Sequence, residues 1–64
     1  MKQKNEFSLT IRTDNAMFDH CNDKTEVARI LHVIAVRLEE GSIGGIARDY
    51  DGNSVGEWTI TRED

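Results

Sequence analysis

The stretch DKTEVARILHVIAVRLEEG, residues 23–41, decides the fold. Val27, Ile30, Leu31, Ile34 and Leu38 recur at spacings of three and four, so they share one stripe of a helix. Asp23 is placed to cap the first turn, with Glu26 three positions on as its capping-box partner. Gly41 follows Glu40 where a left-handed C-cap favours glycine. A helix of roughly 18 residues is about 27 Å long. The rest of a 64-residue chain must fold onto that rod.

Upstream, Phe7, Leu9 and Ile11 alternate with Ser8, Thr10 and Arg12, which predicts a strand over 6–13. Its apolar face should meet the helix stripe. Asp14 and Asn15 end it, and Met17 and Phe18 read as a plug at the end of the core. Residues 19–23 form a polar connection to the helix. Downstream, a second strand is expected over 44–50. Gly44 and Gly45 at its start suggest a bulge or a close approach by another backbone. Asp51, Gly52 and Asn53 form a turn, and a third strand spans 55–61 with Trp58 and Ile60 on one face. A four-residue loop over 51–54 would set Tyr50 against Val55 and Arg48 against Glu57 as a cross-strand ion pair. It also puts the small residues Gly45 and Ala47 beside Trp58.

The sum is an α+β fold of β-α-β-β order, with one helix packed on one face of a three-stranded, mainly antiparallel sheet. A right-handed crossover joins the first strand to the second. The favoured strand order is 1-3-2, and 1-2-3 is the alternative. Residues 1–5 are expected to fray, and 6–64 to form a single small domain.

Composition narrows the function. Twelve acidic against eight basic residues give a net charge of −4, which disfavours nucleic-acid binding. The longest apolar run is Val33 to Val36, too short for a membrane span. No apolar segment follows the N-terminal lysines, so no secretory signal is expected, and the lone Cys21 fits a cytoplasmic location. A chain this small has little core, and without a disulfide its expected support is self-association.

Reactive constellations are sparse. Cys21 precedes a helix N-terminus, which can lower a thiol pKa, yet His32 lies about two turns away and no second cysteine is present. The spacing of Asp19, His20, Cys21 and His32 matches no tetrahedral metal pattern. Asp49 to Asn53 has its glycine in the wrong place for an EF-hand, and the other glycines form no phosphate loop. The expectation is a protein that is not an enzyme, with no cofactor and no metal.

What remains is surplus apolar surface. The sheet face away from the helix should carry Ser8, Thr10, Arg12, Ile46, Arg48, Tyr50, Val55, Glu57 and Thr59. Val33 and Val36 point about 120° to 180° from the core stripe, flanked by Arg29 and His32. An edge strand adds a third route, by pairing across a two-fold axis. The candidate partner-contact residues are therefore Arg29, His32, Val33 and Val36 on the helix, and Arg12, Arg48, Tyr50 and Glu57 on the open sheet.

Three segments together resemble a group of short, mostly uncharacterised proteins encoded by bacteriophages and prophages. They are Asp14-Asn15-Ala16-Met17-Phe18, Glu26-Val27-Ala28-Arg29-Ile30-Leu31 and the run from Arg48 to Trp58. In that group they read as an "Asp-Asn-Ala-x-Phe" turn, a "Glu-Val-Ala-Arg-Ile-Leu" helix and an "Arg-Asp-x-x-Gly-Asn-x-Val-Gly" hairpin. The resemblance implies a virus-encoded accessory protein and carries over no catalytic residue. The expected function is a non-enzymatic small dimer that binds a host protein and modulates it, such as a defence or transcription component. The alternative is a binder that sequesters a small nucleotide-like ligand in a dimer cleft lined by Arg12, Arg48 and Tyr50. Nucleic-acid binding through the open sheet ranks third.

Overall fold

A computed structural model describes residues 5–14, 18 and 23–62. The elements follow as β1 (Glu6–Ile11), α1 (Asp23–Glu39), β2 (Gly44–Arg48) and β3 (Ser54–Thr61). The sheet order is β1-β3-β2, and β3 runs antiparallel to both neighbours. This is the expected α+β arrangement, and it removes the order 1-2-3. Gly56 is what lets β1 close on the central strand. A Cβ there would overlap the Thr10 carbonyl oxygen and sit 3.1 Å from the Ile11 Cα.

The helix ends as its sequence indicates. Gly41 adopts φ 100°. The Ser42 amide donates to the Arg37 carbonyl and the Gly41 amide to that of Leu38, each at 3.0 Å. This is the Schellman pattern, and it satisfies carbonyls that the helix end would otherwise leave open. The core is Ile30 and Ile34 of α1 with Phe18, Ala47, Val55 and Trp58, and Leu9, Ile11, Val27 and Leu38 pack around it. Each large side chain buried here contributes about 1.5–3 kcal/mol. The Trp58 indole lies over Gly45, where an added Cβ would meet Nε1 at 3.0 Å. The room that small residues leave for that indole is as expected.

Several expectations are corrected. The β2–β3 register is two residues away from the expected one. Ile46, not Arg48, faces Glu57, and Arg48 faces Ser54 across an irregularity next to Ala47. The turn is the cause. The Asp49 amide bonds the Asn53 carbonyl, and the Gly52 amide bonds that of Asp49, both at 2.9 Å. With Gly52 at φ 88°, this is a three-residue loop of a type I turn plus a bulge. Asp49, buried at 4% exposure, clamps it by accepting from the Asn53 amide at 2.8 Å and Nδ2 at 3.1 Å. The bulge falls on β3 at Val55, opposite the step from Ala47 to Arg48, not at the paired glycines of β2. It carries Val55 into the core at 4% exposure, so Val55 leaves the open face.

Leu31 does not join the core stripe and is 43% exposed. It lies about 100° around the helix from Ile30. The helix approaches β2 most closely, so this far flank goes uncovered by the described strands. Phe7 is half exposed too, with its ring centroid 6.2 Å from that of Trp58. Met17, Asp19, His20 and Cys21 lie outside the described residues.

Candidate functional site

Because β2 is an edge strand and α1 lies beside it, a groove of about 480 Å³ opens between them. Arg29, Val33 and Arg37 form its helix wall; Gly44 to Tyr50 form the hairpin wall; Ile30, Ile34 and Trp58 form the floor. The wall residues follow from the helix period, because positions four apart advance only about 40° around the axis.

One end of the groove is built around Glu26. Its side chain is 5% exposed and accepts from Arg29 Nε at Oε1 and Nη2 at Oε2, each at 3.0 Å. Oε2 also accepts from the Tyr50 amide at 2.7 Å. The expected capping-box role is therefore replaced: the carboxylate reaches across to the hairpin. The Arg29 hydrogen bonds hold the Glu26 carboxyl below its usual value, against an opposing effect of burial. Reciprocally, the Glu26 hydrogen bond raises the Arg29 pKa. Arg29 also donates to the Arg48 carbonyl at 3.1 Å, and its Cζ lies 5.9 Å from the Tyr50 ring centroid. A bidentate pair whose carboxylate is buried is geometrically specific, so with the bonds to the Tyr50 amide and Arg48 carbonyl it fixes the helix to the hairpin turn.

The expected contact residues divide into three places. Arg29, Val33, Arg48 and Tyr50 come together at the groove. Tyr50 is thus moved from the open sheet to the turn beside α1, where it is 73% exposed. His32 and Val36 lie on the adjoining outer face of α1, both exposed. Arg12 and Glu57 meet on the open sheet face at 3.5 Å, with side chains 51% and 57% exposed. Arg12 does not line the groove, so the cleft expected from Arg12, Arg48 and Tyr50 is not assembled within one chain. Sequence reasoning missed Glu26 and Arg37 as parts of the site, and it raised an edge strand as a contact route without singling out β2. The signal for Arg37 was present, four residues beyond Val33 and eight beyond Arg29.

Among the described residues, no group of three or more His, Cys, Asp or Glu side chains could hold a metal ion. No helix among them is long and apolar enough to cross a membrane. Comparison with protein families, curated proteins and solved structures gives no match.

Proposed function

We propose that this chain is a non-enzymatic interaction protein of the phage accessory kind, acting as a small dimer that binds and modulates a protein of the bacterial host cell. One observation carries the reading. Val33 and Val36 on α1 are 45% and 50% exposed, and Ile43, Ile46 and Tyr50 of the hairpin region are 72%, 54% and 73% exposed. Scattered apolar residues are ordinary on a surface, but Val33, Ile46 and Tyr50 line one groove, Val36 lies on the adjoining face of α1, and Ile43 precedes the groove's β2 wall. In this reading His32 and Val36 on the outer face of α1 join two copies, with Val33 at the border between that seam and the groove. The groove and the β2 edge remain open to the host protein.

The test combines static light scattering with capture from a bacterial lysate. The native chain should scatter as a dimer and retain a partner. A Val33→Asp, Val36→Asp double variant should keep its far-UV spectrum and lose association. A native chain that is strictly monomeric and captures nothing removes the reading.

A second reading draws support from the groove itself. Arg37 and Arg48 with the Tyr50 ring could hold a phosphate and stack a base. Thermal-shift screening against linear and cyclic nucleotides separates the two, since only a nucleotide binder is stabilised by them.

A further inference from the structure

We infer that the β2 edge accepts an extended, carboxylate-bearing segment of the partner protein as a fourth strand, seated in the groove against α1. The inference rests on the interaction reading above and names the chemistry of the partner. Its first support is the hydrogen-bond parity of β2. The Ile60 amide donates to the Ile43 carbonyl at 2.9 Å. In an antiparallel ladder the residues that bond the neighbouring strand alternate with residues that face away. Ile43, Gly45 and Ala47 therefore turn their backbone groups to β3, and Gly44 and Ile46 turn theirs outward. Arg48 shares that outward parity, and its carbonyl receives the Arg29 guanidinium. That contact closes the track at one end and leaves two N–H and two C=O groups, on Gly44 and Ile46, open along it. No other described strand covers them.

The defences usual on an edge strand, a charge and a bulge, are confined to the Arg48 end of β2. Residues 44–46 carry no proline and no charge, and the two glycines let another backbone approach closely. Main-chain pairing with such an edge supplies affinity, and side-chain pockets supply selectivity.

Charge selects the occupant. Three of the five arginines of an acidic chain, Arg29, Arg37 and Arg48, line the groove. Glu26 and Arg29 neutralise each other, and Asp49 is turned to Asn53, which leaves Arg37 and Arg48 as the groove's outstanding cations, Arg48 with one donor on the Gly52 carbonyl. Carboxylates on the incoming strand suit this wall. A second copy of β2, paired about a two-fold axis, would instead bring two sets of these arginines together, and like charges disfavour that contact.

The experiment pans a library of random decapeptides against the full chain and measures the selected peptides by fluorescence anisotropy. The selected sequences should be acidic and rich in β-branched residues. Ile46→Pro should weaken them about tenfold or more, since it removes an outward donor and adds a ring to the edge. The same change spares the ladder to β3 and should leave the light-scattering mass unchanged. Arg37→Glu should weaken the same peptides. N-methylation of alternate amides in a selected peptide should abolish binding, and this arm leaves the protein untouched. Basic or helical selected peptides would overturn the proposal. So would binding indifferent to Ile46→Pro and N-methylation, or an Ile46→Pro chain that falls from dimer to monomer, which assigns the edge to a second copy. If lysate capture survives Ile46→Pro, strand docking fails and the interaction reading stands. A monomer that captures nothing defeats both.

Discussion

Glu26→Ala should be among the most damaging substitutions of a charged residue in the protein. The native carboxylate takes two hydrogen bonds from Arg29 and one from the Tyr50 amide, at 5% side-chain exposure. Removing one partner of a buried ion pair costs about 3–5 kcal/mol. The Arg29 side chain is 37% exposed and can recover some water, so the lower end, about 3 kcal/mol, applies here. A chain of this length has roughly 3–10 kcal/mol of stability in total. At about 4–8 °C per kcal/mol, Tm should fall by roughly 12–24 °C. Thermal and urea unfolding followed by circular dichroism measure this directly. The pH dependence supplies an independent check with Glu26→Gln. Arg29 lowers the folded-state pKa of Glu26 from an ordinary value of 4.5. The pair's stabilisation is therefore whole above about that pH and is lost as pH falls through the folded-state value. Native and Gln chains should differ most near neutrality and converge in acid. An Ala variant that melts within about 3 °C of native, under 1 kcal/mol on the same scale, would refute the reasoning. So would a native-to-Gln gap that persists unchanged below the folded-state pKa.

Two further outcomes follow from the same geometry. Gly56→Ala should cost about 4 kcal/mol or more, because its Cβ would overlap the Thr10 carbonyl on β1; loss of amide protection across β1 in native-state exchange checks it. Arg12→Ala should cost less than about 1 kcal/mol, because its pair with Glu57 at 3.5 Å is solvent-exposed; urea midpoints of the two chains compare them.

The elements and strand order were legible because they depend on local signals. The stripe of Val27, Ile30, Ile34 and Leu38, the glycine at 41 and the alternation of Phe7, Leu9 and Ile11 each have a short-range physical cause. Register and site were harder, because they depend on side chains reaching across the fold. Asp49 binding Asn53 closes a three-residue loop over 50–52 in place of a four-residue one over 51–54, and the bulge that follows on β3 changes which face Val55 occupies. Glu26 satisfies the spacing of a capping box, yet Arg29 and the Tyr50 amide use its buried carboxylate instead. Leu31 has the period of a core residue but lies on the flank that the sheet does not cover. The groove needs the strand order and the helix position together, and neither Arg37 nor Ile46 announces it alone.

Amide hydrogen exchange resolved residue by residue, on the dilute chain and on the chain with its captured partner, offers the sharpest trial of the docking face. In the dilute chain, Gly45 and Ala47 should exchange slowly while Gly44 and Ile46 exchange fast, following the parity of the β2 ladder. With the partner bound, Gly44 and Ile46 should slow along with Arg29 to Arg37. Protection gained only on the open sheet face around Thr10 and Glu57, with Gly44 and Ile46 still fast, would contradict the account.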